Sequence, residues 1–139
     1  MIARFRLALT LALLVVTPLG FAAKFWYRGP FDHVVVDYGA GALYEVFWIL
    51  VVLWMCPRVS MAKVALGVCV VTCVLEGMQL WHPLFLKAIR AHALGRILIG
   101  TTFSWSDFPF YIAGSGAGYA LGRWLASISA ACASSSSVL

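Results

Sequence analysis

Acidic side chains are scarce in this sequence: five Asp and Glu in 139 residues, against ten Lys and Arg and a hydrophobic share of 63%. Charged residues make up 11% of the chain, where soluble domains carry roughly 25%. That deficit excludes an ordinary water-facing surface and places the chain in membrane. No run of basic residues occurs either. Arg4, Arg6, Lys24, Arg28, Arg58, Lys63, Lys87, Arg90, Arg96 and Arg123 mostly stand at the borders of apolar segments. Membrane proteins distribute their cations in this way, towards headgroups and loops, and the pattern argues against nucleic acid as a partner. The four cysteines, Cys56, Cys69, Cys73 and Cys132, form no CxxC pair and no Cys/His ligand spacing, so they read as small residues at helix contacts. No metal and no cofactor is expected. GxSxG, HExxH and a Gly-rich phosphate loop are all missing, so no motif announces a catalytic centre.

What the chain does have is four apolar segments, at 7–23, 39–56, 64–81 and 108–126. Each is close to the ~20 residues that cross a hydrocarbon layer. A crossing segment must satisfy its own backbone hydrogen bonds, so each is expected to be a helix. The predicted fold is an all-α integral membrane protein of four transmembrane helices, forming a single domain over 1–126. The first segment has a rival reading. Arg4 and Arg6, an apolar centre, Pro18 and the small residues of "GFAAK" also describe a cleavable signal peptide. Residues 57–63 make a tight turn that folds the second and third helices into an antiparallel hairpin. The connection 82–107 holds "PLFLKAIRAHALGRILIG", read as a short interfacial helix followed by an irregular turn. Ser106 and Asp107 can cap the last helix, and Pro109 is tolerated in its first turn. The Ser-rich end, 127–139, is expected to be disordered. With Met1 inside, the cations divide five and five between the two sides, so the positive-inside rule does not decide orientation. The basic N-terminus and the short second turn favour both termini in the cytoplasm.

Two features within the apolar segments need a reason. Gly114, Gly118 and Gly122 recur every fourth residue and form one smooth stripe on the last helix, where a neighbouring backbone can approach closely. Packing within one chain is the favoured reading, with a homo-oligomer as the alternative. The second feature is acid in an apolar helix. Glu76 and Gln79 share a face of the third helix, which Thr72 and Cys69 extend. Glu45 poses the same problem on the second. A charged group inside a bilayer costs a few kcal/mol at least and therefore turns towards the bundle interior. Topology gathers the start of helix two, the end of helix three and the start of helix four on one side. Glu45, Glu76, Gln79, Arg90, Arg96 and Asp107 are thus the candidate polar cluster, with Arg96 suited to a bidentate fork on Glu76 or Asp107.

The stretches "YRGPFDH", "GALYEVFW", "LEGMQLWHPLFLKAIRAHALGRILIGTTFSWSDFPFY" and "GSGAGYALG" resemble the small bacterial membrane proteins called domain of unknown function 2809, over roughly residues 24–122. On that resemblance Glu45, Glu76, Gln79, His82, Pro83, Arg90, Arg96, Thr101, Thr102, Trp105 and Asp107 fall on the family's motif positions. The resemblance implies an integral membrane protein that keeps its first segment, and it implies no activity. A looser likeness runs to VanZ-like proteins, through Glu76, Gln79, Arg96 and Asp107 alone. The expected function is non-enzymatic, in the bacterial inner membrane: binding a lipid headgroup, an anionic lipid or an envelope component at the interface. The alternatives are an enzyme that uses Glu76 or Asp107 as acid/base on a lipid-linked substrate, and a small transporter. A transporter would need polar groups at mid-membrane depth, and these acids stand near helix ends.

Overall fold

A computed structural model describes residues 2–30, 34–80, 84–95 and 103–135. Helix dominates, and no strand occurs among the described residues. Helix α1 spans Ile2–Phe25. A single π-helical turn, Val34–Gly39, leads into α2, Ala40–Met55. Helix α3 spans Met61–Met78, α4 spans Leu84–Ala91 and α5 spans Asp107–Ser135. Two of these, α1 and α3, are long and apolar enough to cross a membrane, while α2 is apolar but shorter.

Local chemistry explains most of the boundaries. Helix α2 stops because Pro57 follows Cys56, and a residue before proline is pushed out of the helical region; Cys56 has φ −123° and ψ 65°. Its amide still donates to Val52 O at 2.8 Å, and Val59 N closes the turn on Cys56 O at 3.1 Å. The short helix foreseen in the 82–107 connection is α4. The π-turn lies between the first two apolar segments and ends on Gly39, the first residue of the second. The Ser-rich tail needs a correction: α5 continues to Ser135, through nine residues expected to be disordered. Alanine is the best helix former, and two of the serines find acceptors within the helix. Ser127 Oγ donates to Trp124 O and Ser129 Oγ to Leu125 O, both at 2.7 Å.

Helix α2 is central, packing against α1, α3, α5 and the π-turn. The core comprises Phe5 and Leu9 from α1, Val46, Ile49, Leu50 and Leu53 from α2, Val64 and Ala65 from α3, and Leu125 from α5. The outer face is also apolar: Leu7, Leu11, Leu14 and Leu19 on α1, and Leu66, Val70 and Val74 on α3, are exposed. Glu45, Thr72, Glu76, Gln79, Ser115 and Ser129 are buried instead. At one end the start of α1 meets the ends of α2 and α5. Arg4 donates to Cys132 O, and Arg6 Nε donates to Trp54 O at 3.1 Å while its guanidinium lies 5.5 Å from the Trp54 ring centre.

The α5 glycines lie against α2. A Cβ on Gly114 would come within 2.7 Å of Ala42 O and 2.9 Å of Glu45 Cβ. On Gly118 it would meet Ile49 Cδ1 at 2.7 Å, and on Gly122 Leu53 Cδ1 at 3.0 Å. Gly116, between them, has nothing within 4 Å. Gly118→Leu is therefore expected to lower the melting temperature in detergent, since overpacking a tight contact costs about 1–3 kcal/mol. Gly116→Ala is expected to leave it unchanged or raise it, because alanine is the better helix former. Equal melting temperatures for the two variants would contradict this packing.

Candidate functional site

Two buried carboxylates lie between α2, α3 and α5, each held by hydroxyl and amide donors. Glu45, on the second turn of α2, is fully buried. Its Oε1 accepts from Thr72 Oγ of α3, and its Oε2 accepts from Ser115 Oγ of α5 at 2.9 Å. The Thr72 hydroxyl also lies 2.9 Å from Val68 O and 3.0 Å from Cys69 O, the back-bonding geometry open to threonine in a helix. Gly114 makes this node possible. It lies one residue before Ser115 and lets the α5 backbone rest on Ala42 and Glu45.

Glu76 lies one turn beyond Thr72, near the end of α3, and is 2% exposed. Its Oε2 accepts from Gln79 Nε2 at 2.8 Å and from Tyr111 Oη at 2.9 Å. Its Oε1 accepts the backbone N–H of Ser104 at 2.9 Å. Three segments converge on one carboxylate: α3 itself, the first turn of α5, and the approach to α5. Ser104 O in turn accepts from Asp107 N at 3.2 Å as α5 begins. Phe103, Trp105 and Phe108 pack around that approach, with ring centres 5.0–6.1 Å apart. The Tyr111 ring passes over Gly41, whose Cβ would lie 3.5 Å from Tyr111 Cε1. Gln79 completes the group, and it is unbalanced. Its amide nitrogen donates to Glu76, while its buried Oε1 has no hydrogen-bond partner among the described residues.

Of the residues expected to cluster, Gln79 joins Glu76 directly. Glu45 forms a second node one helical turn away, linked through α3 and α5. Asp107 opens α5, half-buried, two residues before Pro109. Arg96, the Arg90 side chain, His82, Pro83, Thr101 and Thr102 lie outside the described residues, and with them the expected arginine fork. Every described partner of Glu45 and Glu76 is neutral. Sequence reasoning missed Tyr111, Ser104 and Ser115 as those partners. For two of them a signal existed: Tyr111 and Ser115 are four residues apart and flank the first glycine of the stripe, so they share its face.

The model of a family described as "protein of unknown function (DUF2809)" matches residues 31–115 of the chain. No curated protein and no solved structure matches it. The matched stretch contains both carboxylates and all of their partners, and α1 lies outside it.

Leaving a buried donor unpaired costs about 1–3 kcal/mol, so the two nodes should differ in sensitivity. Glu76→Leu would strand the Ser104 amide, the Tyr111 hydroxyl and the Gln79 amide. Glu45→Leu would strand Ser115 alone, because Thr72 keeps its backbone acceptors. Thermal unfolding in detergent should rank Glu76→Leu as the most damaging, then Glu45→Leu, then Tyr111→Phe. The last should cost only about 0.6 kcal/mol, typical of one side-chain bond between membrane helices. A Glu45→Leu variant less stable than Glu76→Leu would reverse the assignment.

Proposed function

The chain belongs to the DUF2809 family, and since membership brings no activity with it, we propose from the site itself that it is a non-enzymatic membrane protein. On this reading it binds a polar headgroup, of a lipid or another envelope component, at one face of the bacterial inner membrane. Helices α1, α2, α3 and α5 each span. The inverted surface supports this: leucines and valines point outward while acids, hydroxyls and an amide turn inward, the arrangement suited to a solvent of hydrocarbon. Exposed tryptophans add to it. Trp26 and Trp105 ring one end of the bundle, and Trp54 and Trp124 the other, as in the aromatic belts at membrane surfaces. From Asp107 to Trp124 α5 rises about 26 Å, close to the hydrocarbon thickness of ~30 Å.

The single observation that carries the binding site is Gln79 Oε1. A buried acceptor without a donor is costly, and this one, which has none among the described residues, lies beside a carboxylate at the Trp26–Trp105 end. Together they form an acceptor pair for a ligand that donates hydrogen bonds, such as an ammonium or hydroxyl headgroup. The acid/base reading has less support, because both oxygens of each carboxylate already accept hydrogen bonds. The protein released from nanodiscs of equal phosphatidylethanolamine and phosphatidylcholine should retain the first, whose ammonium bears N–H donors, over the second, whose ammonium bears none. Native mass spectrometry reads this directly. Gln79→Leu should abolish the preference, and Tyr111→Phe should keep it. Equal retention of both lipids by the unaltered protein would refute the site.

Orientation is tested with the protein's own thiols. Cys56 and Cys132 are exposed, whereas Cys69 and Cys73 are only partly so and lie within α3. With both termini cytoplasmic, an impermeant maleimide should label Cys56 and Cys132 in inverted membrane vesicles and spare them in intact spheroplasts. The opposite pattern would invert the topology.

A further inference from the structure

Between α2 and α3 runs a groove of about 600 Å³ that the described side chains leave open, within the 300–1,000 Å³ common for ligand sites. Its walls are apolar, formed chiefly by Trp48, Val52, Val64, Val68, Val71 and Leu75. Along α3 it extends from Lys63 to Leu75, a rise of about 18 Å at 1.5 Å per residue. Among the described residues Lys63 is the one cation in its lining. It is exposed, as is Arg58 in the adjoining turn, so positive charge gathers at one mouth of an otherwise apolar slot. This mouth is at the opposite end of the bundle from Gln79.

The floor of the groove contains Gly67, in the middle of α3. Glycine there costs a helix roughly 0.5–1 kcal/mol relative to alanine. On α5, close approach of α2 accounts for the glycines at 114, 118 and 122. At Gly67, as at Gly77 and Gly116, no described atom lies within 4 Å of where a Cβ would be, so the groove floor is open here.

The dimensions select the occupant. A volume of about 600 Å³ spread over about 18 Å describes a long, narrow slot, and its almost wholly apolar lining suits one hydrocarbon chain laid along it. Exposed Leu66, Val70 and Val74 continue the apolar surface beside the slot, so a chain can enter sideways from the bilayer. The cationic mouth then selects the headgroup. We propose that the α2–α3 groove is a lipid site that holds one acyl chain of an anionic phospholipid, with the headgroup phosphate paired to Lys63. The site is separate from the Gln79 acceptor pair and does not depend on it.

The test uses the full chain reconstituted in vesicles of phosphatidylglycerol and phosphatidylethanolamine. Both headgroups donate hydrogen bonds, so the comparison isolates net charge. Bromine is placed on the acyl chains of one lipid or the other at equal total content. The difference in fluorescence between the protein and its Trp48→Phe variant reports quenching at the groove. Brominated phosphatidylglycerol should quench Trp48 as though enriched about fivefold over its bulk fraction, the factor expected for one cation at an anionic surface. Lys63→Gln should abolish the enrichment. Gly67→Leu, whose Cβ meets no described atom within 4 Å, should fill the slot and protect Trp48 from both lipids; Val71→Phe fills it from the next turn if Gly67→Leu does not fold. Gln79→Leu should change none of these readings. Equal quenching by the two lipids would overturn the proposal, as would full quenching in a folded, filled-groove variant. Dissociation of a dimer by Gly67→Leu would assign the groove to a second copy and overturn it as well.

Discussion

Glu45 gives up its entire water shell on folding, and the hydroxyls of Thr72 and Ser115 replace it. A carboxylate taken out of water without compensation costs far more than a bundle of this size can absorb, so those donors must arrive together and in register. This requirement sets the relative positions of α2, α3 and α5. It also accounts for the close approach of the α5 backbone to Ala42 at Gly114, one residue before Ser115. The helices have to be close for a short serine side chain to reach the acid.

Glu76 applies the same constraint at the end of α3, with a different consequence. Its donors come partly from irregular chain, since the Ser104 amide precedes α5. The carboxylate therefore anchors the approach to α5 as well as the helix, and the aromatic group Phe103–Trp105–Phe108 is held near the bundle end. Gln79 belongs to this arrangement through its nitrogen, while its buried oxygen accepts no hydrogen bond among the described residues. Every oxygen of the two carboxylates accepts at least one.

The two ends of the bundle thus differ in chemistry. One carries the acceptor pair of Glu76 and Gln79 beneath tryptophans. Cations stand at both ends, Lys24 and Arg28 near the first; at the other, Arg4 and Arg6 engage backbone carbonyls at the ends of α5 and α2, where the helix dipole favours positive charge, while Arg58 and Lys63 project from the α2–α3 turn. Between the ends the exposed side chains of the described residues are mostly apolar, and the α2–α3 slot opens among them. A molecule built in this way meets a bilayer differently at its two faces, and the two proposed sites follow that asymmetry.

How much of this was legible in the sequence depended on the range of each interaction. The all-helical character was legible, because backbone satisfaction and apolar run length are local properties. The shared face of Glu76 and Gln79 was legible too, since residues three apart meet on any helix, and so was the stripe of glycines. Its register against Ala42, Ile49 and Leu53 was not. Periodicity also misjudged the C-terminus, where alanine propensity and serine back-bonding carry the helix to Ser135 although composition suggested a loose tail. The partners of the two acids were beyond reach for a physical reason: they lie 27, 28, 35 and 70 residues away. The sequence by itself determined that Glu45 and Glu76 would need donors, because burying an acid demands them. Only the tertiary structure decided which donors, because many polar groups could serve and the packing of α5 along α2 selects Ser115 and Tyr111 from among them.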